Sequence, residues 1–137
     1  MGAPYHTYSF ERLDVWKNSV QLAKKILITT SRFPREEQYG LISQIRRSAN
    51  AVCSNIAEGS ARVSARDQAR FYQIAFSSLM ETLNHLILAR DFDYLPDDQL
   101  IELRQEIDKI ANKINALHKS RIKNISEPEI RYGQEEE

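Results

Sequence analysis

Apolar residues recur along this chain at spacings of three and four, the period that places them on one face of an α-helix. The first such segment covers residues 13–31 and ends before Pro34, because the residue preceding a proline avoids the helical conformation. Two adjacent apolar rows run along it: Trp16, Val20, Ala23, Leu27 and Thr30 in one, and Val15, Leu22 and Ile26 in the other.

A second helix is predicted over residues 36–58. Its apolar row is Ile42, Ile45, Ala49, Val52 and Ile56. Glu36 and Glu37 suit the positive end of a helix dipole and favour a start at this point. Gly59 follows the last apolar position, which predicts a left-handed residue that ends the helix.

A third helix is predicted over residues 64–92 and a fourth over residues 96–124. Ser64 and Asp67 have the spacing of a capping box, with aspartate in place of the usual glutamate. The fourth helix carries a regular row of Leu100, Leu103, Ile107, Ile110, Ile114 and Leu117. Residues 126–137 are acidic and contain Pro128, which predicts a disordered segment.

These elements define the fold class. No segment alternates with period two, so the sequence predicts no strands. Four amphipathic helices with short connections predict an all-α, antiparallel up-down-up-down four-helix bundle in one domain, residues 1–125. A helix of a small bundle needs one apolar face, whereas helix one has two rows and helix three has Phe71, Ile74 and Met80 beside its main row. The surplus predicts a homo-oligomer.

Composition adds few constraints. The 137 residues contain 19 Lys and Arg and 19 Asp and Glu, so the net charge is zero. Residues 1–90 carry twelve cations against seven acids, and residues 91–137 carry seven against twelve, which weakly favours an anionic partner for the first part. No apolar run is long enough for a membrane span and no signal peptide is evident, so a cytoplasmic location is expected.

The candidate chemistry is sparse. Di-metal bundles need Glu-x-x-His pairs, and the one comparable pair, Glu81 and His85, is spaced by four and predicts a structural contact. The lone Cys53 lies in an apolar stretch with no base nearby and is expected to be a buried small hydrophobe. The sequence therefore predicts no catalytic residue, no metal ligand and no cofactor.

Arginines are the best candidates for binding. Arg62, Arg66 and Arg70 are spaced by four, and Arg46 and Arg47 lie on the neighbouring helix. Because guanidinium groups match phosphate oxygens, these five residues are the predicted nucleic-acid site. The competing interpretation is a solvated helix face, which the zero net charge favours.

Two acids have structural interpretations. Glu58 lies in the last turn of helix two, where the dipole disfavours a negative charge, so a partner such as an arginine or a loop N–H is expected. Glu81 is expected to pair with Arg46 or Arg47 from the adjacent helix.

Several motifs resemble the 23S rRNA intervening-sequence protein family: Phe10-Glu11-Arg12-Leu13-Asp14-Val15-Trp16, Gln44-Ile45-Arg46-Arg47 and Asn55-Ile56-Ala57-Glu58-Gly59, with Ile74-Ala75, Ser78-Leu79 and Glu81 on helix three. The resemblance covers residues 10–120 and marks Asn55, Glu58, Gly59 and Glu81 as structural signature positions. It implies a four-helix bundle that commonly forms a homopentameric ring. A related bundle is the accessory subunit of a retroelement reverse transcriptase, which implies RNA or DNA and a polymerase as partners.

Pattern and resemblance together favour a non-enzymatic, self-assembling bundle that acts as a binding or scaffold subunit for RNA or for an RNA-processing partner. Two alternatives stay open at this point. One is a metal-dependent enzyme with its site inside the bundle. The other is a purely protein-binding module that uses the acidic residues 126–137 as its contact.

Overall fold

The computed structural model describes residues 2–125. It contains four α-helices and, within that range, no strand, so the prediction of an all-α protein is confirmed. The helices are α1 (Asp14–Thr30), α2 (Leu41–Ala61), α3 (Ala65–Asp91) and α4 (Asp97–Ile122), and short 3-10 turns precede α1 and α2 at Ser9–Arg12 and Arg35–Glu37. The predicted disorder of residues 126–137 lies outside the described residues.

The second helix begins later than predicted, at Leu41 rather than near Glu36. Pro34 is extended, and the residues after it form the separate 3-10 turn. Glu37 still supports the helix start, because one of its carboxylate oxygens accepts from the Leu41 N–H at 3.4 Å and the other accepts from the Tyr94 hydroxyl at 3.0 Å. Glu36 and Glu37 therefore lie in the turn that precedes α2 and are not part of the helix.

Both ends of α3 are capped. The Asp67 N–H donates to the Ser64 hydroxyl at 3.1 Å, as the sequence predicts for an N-cap serine. At the other end Asp93 is left-handed, with φ of 64°, while the Tyr94 N–H donates to the Ala89 carbonyl at 2.8 Å and the Asp93 N–H to the Arg90 carbonyl at 3.0 Å. This bond pattern is a Schellman motif in which aspartate takes the place that glycine usually fills.

All four helices contribute to one core. Its fully buried members include Leu22 and Ile26 from α1, Ile45 and Ile56 from α2, Leu79 and Leu86 from α3, and Ile107, Ile110 and Ile114 from α4. Between α1 and α4, the Lys113 ammonium donates to the Asn18 side-chain oxygen at 2.7 Å and the Lys25 ammonium to Glu106 at 2.8 Å. Residue numbers thus rise along α1 as they fall along α4.

The two apolar rows of α1 have different environments. Val15, Leu22 and Ile26 are buried in the core, together with the hydroxyl residues Ser19 and Thr30, which donate to the carbonyls four residues earlier. Apart from the buried Thr30, the other row is less covered, and Leu27 is 53% exposed. That row forms one wall of an open groove between α1 and α2, whose volume is about 340 Å³ and whose lining is Val20, Ala23, Lys24, Leu27, Arg46, Ala49, Asn50 and Cys53.

Candidate nucleic-acid interface

Gly59 is a helical residue inside α2, and the predicted left-handed cap at this position is wrong, because no described glycine has a positive φ. Its role is steric. A Cβ at Gly59 would lie 2.6 Å from Cε1 and 2.9 Å from Cδ1 of Tyr72, which is shorter than real Cβ contacts, and a tight 3.1 Å from Cβ of Phe71. Glycine is therefore needed here because the end of α2 packs directly against the first turns of α3.

Further along the same helix pair, two buried hydroxyls meet. The Thr82 hydroxyl of α3 donates to the Ser48 hydroxyl of α2 at 2.8 Å, and Ser48 donates to the Ile45 carbonyl at 3.0 Å. Both side chains are completely buried. A buried hydroxyl without a partner is costly, so this pair fixes the register of α2 against α3.

The close approach at Gly59 places two arginines on one aromatic ring. Cζ of Arg62 lies 4.4 Å from the centroid of the Phe71 ring, and Cζ of Arg70 lies 4.9 Å from it. Phe71 is 8% exposed, whereas the two arginine side chains are 45% and 62% exposed. The ring attracts both cations and restricts their motion while their N–H groups stay accessible to solvent.

Acids compensate these arginines only weakly. Glu58 lies 4.0 Å from Arg62 and Asp67 lies 4.0 Å from Arg70, both at the outer limit of an ion pair and in solvent. Of the partners expected for Glu58, an arginine or a loop N–H, the structure places Arg62 beside it. Arg62 caps α2 in an extended conformation and is not on α3, so of the three arginines spaced by four only Arg66 and Arg70 lie on α3.

Other basic residues gather at the same end of the helices. Gln68 connects two of them, because its Nε2 donates to the Arg62 carbonyl at 3.0 Å and its Oε1 accepts from Arg121 of α4 at 3.3 Å. The turn before α1 is also there, with the Ser9 and Ser60 hydroxyls 3.0 Å apart. We define the basic end as residues 9–12, 58–70 and 118–125; it contains seven Arg and Lys against three Asp and Glu.

The opposite end of the helices is acidic. There Arg90 pairs with Asp91 at 2.8 Å and Asp97 at 3.0 Å, and Phe33 packs against Tyr94. We define the acidic end as residues 31–40 and 90–99; it contains six Asp and Glu against three arginines. The two ends defined in this way carry opposite net charge, a division that differs from the basic residues 1–90 and acidic residues 91–137 indicated by the sequence.

Arg46 does not belong to the basic end. Its Nε donates to the Thr30 hydroxyl at 2.9 Å and its NH2 group donates to the Leu27 carbonyl at 3.3 Å. Both acceptors are in the last turn of α1, where a cation is favoured by the helix dipole. Arg46 therefore ties α2 to the end of α1.

Arg47 also has a structural partner. It forms a short ion pair with Glu81 of α3, which confirms the expected pairing, and it donates to Gln44 at 2.9 Å. Glu81 in turn contacts Nε2 of His85 at 3.3 Å. Asn55, the remaining signature residue, donates to the Ala51 carbonyl at 2.8 Å within its own helix.

The structure therefore divides the five predicted arginines. Arg62, Arg66 and Arg70 lie at the basic end, whereas Arg46 and Arg47 connect α2 to its two neighbours. Sequence reasoning missed Phe71 and the α4 residues Lys119, Arg121 and Lys123. The cations in the last turn of α4 were visible as a helix-end signal, but their position beside α3 depends on the fold.

The described residues offer little for metal binding or thiol chemistry. Within 2–125, no three His, Cys, Asp or Glu side chains are grouped so that they could hold a metal ion. Cys53 is half-buried, and burial raises the pKa of its thiol to about 11. Among the helices described, none has the length and apolar character needed to cross a membrane.

The fold and the basic end define a four-helix protein with a charge-polarised surface. The family model for the 23S rRNA-intervening sequence protein matches residues 11–116, and the chain belongs to that family. A crystal structure from Bacteroides thetaiotaomicron, described as a protein with unknown function from the S23 ribosomal protein family, is similar to it with a TM-score of 0.70. That alignment has 22% identity and covers 77% of this chain and 95% of the other. No curated protein sequence matches the chain significantly.

Proposed function

We propose that this protein is a non-catalytic binding or scaffold subunit whose basic end binds the phosphate backbone of RNA. The observation that carries the proposal is the placement of Arg62 and Arg70 over Phe71, in an end that holds seven cations and three acids. The family name refers to an intervening sequence of 23S rRNA, which makes RNA the first ligand to test.

The contacts at this end favour backbone binding over base reading. Guanidinium groups that lie over a buried ring lose less freedom when they bind, so part of the ordering cost is already met. Forked N–H donors match phosphate oxygens, which carry no sequence information. Binding is therefore expected to depend steeply on salt and little on sequence.

We further propose an antiparallel up-down-up-down bundle that assembles into a homo-oligomer. The groove between α1 and α2 supports assembly, because its wall includes Leu27 at 53% exposure and its lining is mainly apolar. A second copy of the chain would cover that surface, and the family resemblance suggests a pentamer. An oligomer repeats the basic end, so weak phosphate contacts add by multivalency.

Fluorescence anisotropy with a labelled 20-nucleotide polyuridine RNA tests the proposal across a series of salt concentrations. The double variant Arg62→Gln/Arg70→Gln is expected to bind at least about tenfold more weakly, since charged hydrogen bonds are each worth roughly 1.5 kcal/mol or more. Its plot of log affinity against log salt is expected to be shallower by about 0.7 for each lost phosphate contact.

The matched control is Arg32→Gln/Arg35→Gln, which removes two exposed arginines from the acidic end. This variant is expected to bind like the wild type. Equal losses in both double variants, or no salt-dependent binding by the wild type, would reject the basic end as the RNA site. Stoichiometric iron, manganese or zinc in the purified protein would instead favour the metal-dependent enzyme.

A further inference from the structure

An exposed aromatic ring lies directly before the first 3-10 turn, next to the basic end. Tyr8 is 62% exposed, and its ring packs against that of His6 with 4.9 Å between the centroids and 88° between the planes. Phe71, by contrast, is buried and lies under Arg62 and Arg70. Tyr8 therefore offers an accessible aromatic surface, which the ring under the arginine pair does not.

Hydrogen bonds hold the backbone at Tyr8 in place. Its N–H donates to a carboxylate oxygen of Glu11 at 2.8 Å, and its carbonyl accepts from the Glu11 N–H at 3.1 Å. The exposed Arg12 donates to the Thr7 carbonyl at 2.9 Å, which places a guanidinium group beside the same peptide. Because the ring is carried by an ordered turn, less freedom is lost when a ligand binds to it.

This turn is also close to the arginine pair. The hydroxyls of Ser9 and Ser60 are 3.0 Å apart, and Tyr8 is one residue from the first while Arg62 is two residues from the second. At no more than about 3.8 Å per residue, the backbone at Tyr8 lies within roughly 20 Å of that at Arg62. A strand of 20 stacked nucleotides is roughly 70 Å long, at about 3.4 Å each, so one strand can contact both positions.

We propose that Tyr8 is a stacking site for an unpaired base of an RNA strand whose phosphates contact Arg12, Arg62 and Arg70. This inference rests on the proposed RNA-binding function and names its substrate class as single-stranded RNA. Aromatic rings beside a basic surface bind single strands with little sequence preference, because every base has a face on which to stack. The bases of a duplex are already paired and stacked on one another, so a duplex makes no comparable contact with Tyr8.

Anisotropy with the labelled 20-nucleotide polyuridine RNA, alone and annealed to polyadenosine, tests the inference. Tyr8→Ala is expected to bind the single strand at least about fivefold more weakly and the duplex within about twofold of the wild type. Tyr8→Phe keeps the ring and is expected to bind both RNAs like the wild type. Tyr39→Ala removes an 89% exposed tyrosine from the acidic end and is the matched control, with binding expected to be unchanged.

The dependence on salt separates stacking from charge. Stacking releases no counterions, so Tyr8→Ala is expected to keep the wild-type slope of log affinity against log salt, whereas Arg62→Gln/Arg70→Gln flattens it. Urea unfolding of Tyr8→Ala is expected to match that of the wild type, because the removed ring is exposed. A loss of affinity in this variant then reports the contact with RNA.

The inference and the proposed function can fail separately. Wild-type affinity of Tyr8→Ala for the single strand, or equal losses on the single strand and the duplex, would overturn the stacking site. Binding that still weakens in Arg62→Gln/Arg70→Gln would leave the basic end as the RNA site in that case. Loss in Tyr8→Ala without loss in the arginine variant would support stacking and reject the basic end, and a wild type that binds neither RNA would reject both.

Discussion

Gly59 of α2 lies so close to Tyr72 of α3 that a Cβ at residue 59 would be 2.6 Å from the tyrosine ring. Tyr72 is 3% exposed and packed in the core, so its ring cannot simply move into solvent. The contact brings Arg62, at the end of α2, and Arg70, near the start of α3, to the same phenylalanine. A steric requirement in the core thereby determines the geometry of the candidate binding surface.

We expect Gly59→Ala to destabilise the protein. Alanine favours a helix over glycine by about 1 kcal/mol, but overpacking of a close contact costs roughly 1–3 kcal/mol, and the Tyr72 ring is buried in the core. The net loss is expected to be about 1 kcal/mol or more in urea unfolding. Ser54→Ala, at an exposed position of the same helix, is the control and is expected to stay within about 0.5 kcal/mol. A Gly59→Ala variant more stable than the wild type would contradict this contact.

Asp93 offers the opposite test, because it adopts a left-handed conformation that glycine accepts without steric cost. Asp93→Gly is expected to leave stability unchanged or to raise it by up to about 1 kcal/mol, whereas Asp93→Ala is expected to lower it by about 1 kcal/mol. Thermal unfolding of both variants checks the order. If alanine were tolerated as well as glycine, the Schellman motif at the end of α3 would be wrong.

A variant of Arg46 distinguishes an arginine with a structural role from those proposed to bind RNA. Its hydrogen bonds to the Thr30 hydroxyl and the Leu27 carbonyl join α2 to the end of α1. Arg46→Gln is therefore expected to lower the free energy of unfolding by about 1 kcal/mol and to leave RNA affinity unchanged under conditions where the variant is folded. Urea unfolding and RNA anisotropy on the same samples measure the two effects. A loss of RNA affinity as large as that of Arg62→Gln/Arg70→Gln would place Arg46 in the binding surface.

Cys53 is expected to react slowly in the folded protein. Burial raises the pKa of its thiol from 9.0 to about 11, and only the thiolate is a good nucleophile. At pH 8 the thiolate fraction is therefore about a hundredfold lower than in the unfolded chain, and the alkylation rate is expected to rise about tenfold per pH unit up to about pH 11. Iodoacetamide labelling of native and urea-unfolded protein gives the ratio. Equal rates at pH 8 would show that the thiol is not shielded.

The sequence predicted four helices and the serine cap of α3, because those features depend on local periodicity and on one side-chain hydrogen bond. It misjudged Gly59, since a glycine after an apolar row looks like a helix end unless the approach of Tyr72 is known. It also grouped Arg46 with Arg47, although neighbouring residues on a helix point about 100° apart and these two contact different helices. The charge polarity of the two ends was hidden because each end combines residues far apart in the sequence.

The apolar groove between α1 and α2 is the surface on which we base the proposed assembly, and assembly is the central claim of the proposed scaffold function. Light scattering coupled to size-exclusion chromatography measures the mass directly. We predict a mass about five times the 15.9 kDa of one chain, and a smaller mass for Ala23→Glu, which places a charge in the groove. A wild-type protein that stays monomeric at every concentration tested would contradict the account.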